Sequence, residues 1–242
     1  MIPLHDDIPS ARVPVVNYAL IVVNVLVFLY ELSLGPGIDA FFHQWAVIPR
    51  ELTHAWPQLR HGVIHLDVWL SVLTAMFLHG GWLHLLGNML TLWIFGDNVE
   101  GQLGHLGYLV FYLAAGILAT ALQVFVSPLS TLPSLGASGA IAGVLGFYLI
   151  LFPDARVLTL VPIGFFLTTI RVSALIYLLL WFAMQAIQGI AALAPSQANV
   201  GGVAWWAHIG GFLFGLVIGA LNRGSHRPPP RNPYADRWYS NR

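Results

Sequence analysis

Charge is too scarce in this sequence to cover a water-facing surface. Ten basic and ten acidic residues among 242 make 8% of the chain, against 57% hydrophobic residues and a mean hydropathy of +0.75. A soluble domain carries about 25% charged residues. A chain so poor in charge places most of its surface in lipid, where backbone N–H and C=O groups find no water. Spanning segments there are helices or closed barrels, and the apolar runs here have helical length. The formal net charge is zero with His neutral, which gives nucleic acid no electrostatic handle. Cysteine is absent, so disulfides, thiolate metal sites and cysteine nucleophiles are excluded.

A spanning helix needs about 20 mostly apolar residues. Six candidates are read: Val15–Leu34, Trp82–Gly96, Leu106–Val126, Ser138–Phe152, Val172–Leu193 and Gly202–Leu221. The start, MIPLHDDIPSARVPVV, lacks the basic region and small-residue cleavage site of a secretory signal peptide, so the first run is expected to stay as a span. Arg12 precedes the first span, Arg156 and Arg171 lie between the fourth and fifth, and Arg223, Arg227, Arg231, Arg237 and Arg242 follow the sixth. The positive-inside rule then puts both termini in the cytoplasm. One loop resists the pattern: GDNVEGQLGH, between the second and third spans, carries only Asp97 and Glu100.

Residues 1–14 are read as a short cytoplasmic segment, 15–221 as the six-span domain and 222–242 as a Pro- and Arg-rich cytoplasmic tail. The stretch Gly35–Gly81 is too long for a plain connector and is expected to be folded, partly interfacial and outside. PDARVLTLVPIGFFLTTIR, apolar between charged ends, is expected to be an interfacial or re-entrant piece. PSQANVGG, the outer loop after the fifth span, is a candidate gate.

Polar groups inside a bilayer are costly and default to function. They are read in three spans: His84 and Asn88 in the second, Ser138 in the fourth and His208 in the sixth. All three spans run from outside to inside. His84, Ser138 and His208 lie roughly 18, 22 and 21 Å from their inner ends at 1.5 Å per residue. In a core about 30 Å thick they share one level near the outer face. His84 and Asn88, four residues apart, share a helix face. Gly139 and Gly143 on the fourth span and Gly211 and Gly215 on the sixth form small-residue stripes that let backbones approach. Packing these spans together would set Ser138 opposite His208.

That juxtaposition suits nucleophilic acyl transfer. A serine hydroxyl attacks once a base takes its proton, and His208 could be that base. Ser138 at a helix start would lie among unpaired N–H groups, which with His84 and Asn88 could stabilise an oxyanion. No Asp or Glu is counted inside the spans, so a Ser–His dyad is expected. His79, five residues before His84, is expected to point elsewhere and support the outer loop. A small transporter and a metalloprotease with His79, His84 and His208 as ligands are the rival classes. The first lacks intramembrane carboxylates and a repeat, the second lacks an HExxH helix motif.

At these residues the chain resembles the rhomboid family of intramembrane serine proteases. GASG heads the fourth span, AHIGGFLFG lies in the sixth and HLLGN in the second, in family order, with flanks similar to bacterial members. The resemblance covers about Tyr18 to Leu221. It implies an all-α polytopic bundle of six transmembrane helices with a long, partly structured first outer loop. It implies Ser138 as nucleophile, His208 as general base, and His84, Asn88 and the Ser138 N–H as the oxyanion hole. It implies cleavage of transmembrane segments of single-pass or other membrane-protein substrates near the outer face of the bilayer, in a bacterial inner membrane, with no metal or cofactor; a binding-only relative is the alternative. Three positions depart from the family's pattern. Leu70 and Ser71 stand where many members carry a Trp-Arg pair. Gly101 follows Glu100 where a basic residue is common. Ala142 stands where some members stack a Tyr on the catalytic His, so another group, such as Trp205 or Trp206, is expected to orient His208.

Overall fold

A computed structural model of the chain describes residues 1–164, 166–194 and 203–225. The candidate gate PSQANVGG and most of the C-terminal tail lie outside the described residues. The elements run β1 (Ile2–Asp6), α1 (Val15–Ser33), α2 (Ile38–Trp45), α3 (Pro49–Gln58), α4 (Leu66–Thr74), α5 (Trp82–Thr91), α6 (Asp97–Val126), α7 (Ser138–Leu151), β2 (Arg156–Ile163), β3 (Phe166–Ser173), α8 (Ala174–Ala191) and α9 (Trp205–Asn222). The molecule is a helical membrane bundle, as the composition requires. The helices α1, α8 and α9 and the run Trp82–Val126 are long and apolar enough to cross a bilayer. Fourteen-residue α7 is equally apolar, but at 1.5 Å per residue it rises only about 21 Å.

Shortness suits α7 to the centre of the bundle, where all but two of its residues are buried. Its glycines let two helices close on it. A Cβ at Gly143 would lie 2.6 Å from Ala115 Cβ of α6, and one at Gly139 would lie 2.8 Å from Ala119 Cβ. Toward α9 the approach is backbone on backbone: a Cβ at Gly211 would strike the Gly139 carbonyl oxygen, and one at Gly215 the Gly143 carbonyl oxygen. The two small-residue stripes therefore face each other across the α7–α9 contact. Tyr108, Tyr112, Phe147, Tyr148 and Phe212 fill the remaining space and are fully buried.

The loop GDNVEGQLGH is helical and enters α6 from α5 through a π-helical turn at Leu92–Gly96. Gly104, at φ +73, breaks α6. The acidic residues of this loop have an inward use. Glu100 is fully buried, and its carboxylate accepts the N–H groups of Val16 (3.0 Å) and Asn17 (2.7 Å). A carboxylate there satisfies orphan donors at the start of α1 and opposes its dipole, which is why the loop breaks the Arg-based pattern.

The segment after α7, expected as an interfacial or re-entrant piece, has a conformation that the expectation did not specify. It is the β2–β3 hairpin, paired from Arg156↔Ser173 to Ile163↔Phe166, and β1 adds antiparallel to its other edge with Ile2 opposite Leu160. The β-branched run VLTLV and TTIRV suits strands, and the N-terminal segment supplies the partner that sequence reading of a local loop could not see. The junction is pinned by Tyr148, whose hydroxyl donates to the Asp6 carboxylate, and by the Arg156 N–H on Asp7 Oδ1 at 2.7 Å.

The segment Gly35–Gly81 is folded, as expected. Its α2–α3 junction grips the loop that leads into α7. Val47 and Ser134 exchange both backbone hydrogen bonds (3.0 and 2.7 Å), and the Arg50 N–H donates to Ser130 O.

Candidate active site

Ser138 is the first residue of α7. Its position is fixed from both sides: the Gly136 N–H donates to Ala75 O at 2.8 Å, and Ala137, fully buried, begins the packed face of α7. As on any helix, the first N–H groups of α7 have no acceptor one turn back within the helix. A crevice bordered by Met76, Thr120, Ser134, Gly136 and Ala204 reaches Ser138.

His208, buried on α9, meets it. Its Nε2 lies 2.7 Å from Ser138 Oγ although the residues are 70 positions apart. This is the distance of a hydroxyl–imidazole hydrogen bond. The glycine contact between α7 and α9 makes it possible, since Gly211 lies one turn beyond His208 and rests on the Gly139 carbonyl.

His84 stands on the other side. The site of a Cβ on Gly136 would be 2.7 Å from His84 Nε2 and 3.4 Å from Ser138 Oγ, so only glycine leaves the imidazole beside the serine. The Gly80 N–H donates to His84 Nδ1 at 3.4 Å. With Nδ1 accepting, the ring proton belongs on Nε2, the nitrogen on the side of Gly136 and Ser138. Asn88 is tied differently: its Nδ2 lies 3.0 Å from His79 Nε2. The amide nitrogen has two hydrogens, and this contact takes one.

Four residues enter this neighbourhood that the sequence did not place there: three polar ones, taken in turn, and Trp181. His79 was expected to point away, yet it is 1% exposed, edge-on to His84 at 5.1 Å and bonded to Asn88. Its position in an extended loop, Leu78 to Gly81, breaks the helical spacing that would have sent it elsewhere. Glu31, near the C-terminal end of α1, corrects the count of no acid within the spans. It is buried, and its carboxylate accepts the His79 backbone N–H at 3.1 and 3.3 Å. Glu31 thus holds the loop before α5, and its hydrogen bonds go to His79 rather than to His208. The third is Gln185 of α8, whose Oε1 lies 2.7 Å from His208 Nδ1. Trp181 (centroids 5.9 Å) and Trp205 (6.1 Å, edge-on) border the same ring. Trp205 was anticipated; Gln185 and Trp181 were not. The available signal was a pair of amides, Gln185 and Gln188, in an otherwise largely apolar fifth span. Trp206 is adjacent in sequence, but its Nε1 has no hydrogen-bond partner. Among the described residues no cluster of His and acidic side chains could hold a metal ion.

Comparison with known proteins gives the same direction. The Rhomboid domain family model matches residues 66–225. Rhomboid protein 1, mitochondrial, of Saccharomyces cerevisiae is 29% identical over 239 residues, which cover 92% of this chain and 58% of that protein. Rhomboid protease GluP of Bacillus subtilis is 32% identical over 213 residues, 88% of this chain and 36% of that protein. Rhomboid-like protein 11, chloroplastic, of Arabidopsis thaliana is 28% identical over 199 residues, 81% of this chain and 64% of that protein. The chain therefore spans between about one third and two thirds of the length of these relatives.

Proposed function

The chain belongs to the rhomboid family, and on that premise we propose that it is an intramembrane serine endopeptidase working through a Ser138–His208 dyad. The observation that carries the proposal is the 2.7 Å contact between Ser138 Oγ and His208 Nε2. In the proposed reaction His208 Nε2 takes the hydroxyl proton as Oγ attacks the scissile carbonyl. The carbonyl oxygen becomes an oxyanion. The N–H groups at the start of α7, the Nε2–H of His84 and the remaining amide hydrogen of Asn88 are the donors proposed to receive it. His208 then returns the proton to the departing amine, leaving an acyl group on Ser138, and by the reverse sequence activates water to release it.

The proposed substrates are transmembrane segments of other membrane proteins, cut near small residues toward the outer face. The depth of the site supports this, since Ser138 and His208 open their helices at the end opposite to the Arg-rich side. The Arg distribution supports cytoplasmic termini.

The test is cleavage in proteoliposomes of a single-span reporter with small residues near its outer end. The full chain should release two fragments, and Ser138→Ala none. A reporter cut equally by Ser138→Ala, or left intact by a folded wild type across a panel of such reporters, would sink the proposal.

A further inference from the structure

Gln185 is 6% exposed, while Met184 and Ile187 on the same helix are 60% and 66% exposed. Helix α8 thus turns Ala174, Leu178, Gln185 and Gly189 inward and leaves its other face to lipid. Gly189 brings α8 close to α9, since a Cβ there would lie 3.3 Å from Ile209 Cδ1 and 3.4 Å from Trp205 Cβ. At that approach Gln185 Oε1 reaches His208 Nδ1 at 2.7 Å.

A neutral imidazole carries one N–H, and the nitrogen that holds it cannot act as a base. In an apolar surrounding the proton stays on the nitrogen that has an acceptor. The two tryptophans bordering His208 offer only donors. The Ser138 hydroxyl can serve either role by rotation. The amide oxygen of Gln185 is the group that decides.

We infer that Gln185 is a positioning residue for the Ser138–His208 pair, its Oε1 accepting Nδ1–H of His208 so that Nε2 is free and aimed at Ser138. The inference rests on the reading of Ser138 as nucleophile and His208 as base. Gln185 takes the place that a carboxylate holds in a three-residue triad. An amide fixes the tautomer without a second ionisable group at membrane depth, where charge is costly. It also answers what orients His208 in a chain with Ala142 one turn after the nucleophile.

The experiment is the rate of Ser138 labelling by a fluorophosphonate in mild detergent, followed from about pH 5 to pH 9. Wild type, Gln185→Leu and Gln185→Glu are compared, each with a thermal melt of the same sample. Gln185→Leu should melt like wild type and label about tenfold or more slowly, since without the acceptor nothing holds the proton on Nδ1 or the ring toward Ser138, and about nine tenths or more of the competent arrangement is lost. Gln185→Glu should recover much of the rate. Its acidic limb should move to higher pH, because a carboxylate beside Nδ1 stabilises the imidazolium. A folded Gln185→Leu that labels at the wild-type rate with the wild-type profile overturns the inference while leaving the Ser–His reading intact. If Gln185→Leu does not fold, Gln185→Glu decides, and an unmoved acidic limb overturns the inference. A wild type that melts cooperatively but never labels removes the Ser–His reading and this inference together.

Discussion

Gly136, at φ +128, lies two residues before Ser138, and the space a side chain would need there is occupied by the His84 ring. Both facts constrain the residue: the backbone conformation excludes other residues at a cost of about 1–3 kcal/mol, and the imidazole excludes a methyl. Gly136→Ala should therefore lower the melting temperature and push His84 away from the serine. Labelling of Ser138 should survive more than substrate cleavage does, because the proposed base, His208, is untouched and the proposed oxyanion donor, His84, is not. Equal loss of both activities with unchanged stability would contradict this account. At this scale the site was partly legible in the sequence. Ser138, His84 and His208 carry recognisable neighbours at recognisable depth, and the structure sets them within one small volume. Gln185 and Glu31 were not legible, although the runs around them hold other polar residues: Asn17 and Asn24 precede Glu31 at seven-residue steps, and Gln188 follows Gln185, but nothing local says which of them meets the site. His79 was misplaced because helical spacing was assumed through a loop that is extended.

Among the elements, the α7–α9 contact and the small sheet make separable predictions. Gly215 faces the Gly143 carbonyl, which is backbone and cannot step aside. Gly215→Ala must part the helices, and overpacking of this kind costs about 1–3 kcal/mol. Gly87 of α5 has nothing within 4 Å of its absent Cβ, so Gly87→Ala should change stability by less than about 1 kcal/mol. Thermal melts of the two variants in one detergent compare them directly, and equal losses would contradict the packing described here. The sheet is pH-sensitive through Asp6. Burial pushes its carboxyl up to about 7, opposed by the Tyr148 hydroxyl and aided by the charges of Asp97 and Asp7. The folded form then holds a proton that the unfolded segment, with an ordinary value of 3.8, releases. The stabilising contribution is full below about pH 4 and is lost as pH rises through about 7. Hydrogen exchange of the β1 amides should accelerate over that window, and Asp6→Asn should flatten the dependence. An Asp6→Asn profile identical to wild type would rule out Asp6 as its source. The helices of this layer were legible, because a long apolar run permits little else. The sheet was not: β1 meets β2 across more than 150 positions, and no local pattern announces a partner so distant.

At the scale of the whole molecule, no single element contains the chemistry. In the proposed reaction α7 brings the hydroxyl, α9 the base, α8 the amide that holds the base, and α5 a donor for the developing charge. The segment between α1 and α5 holds the approach to Ser138 by clamping Ser134 to Val47. Reactivity should therefore appear only in the folded bundle and vanish when either member of the pair is removed. The most direct measurement is fluorophosphonate labelling of the purified full chain in mild detergent, with the modified residue located by peptide mass. Wild type should label on Ser138, and Ser138→Ala and His208→Ala should fall to the background of a heat-unfolded sample. Labelling at another residue, or a folded His208→Ala that labels as fast as wild type, would contradict the claim that a histidine from α9 activates the serine of α7.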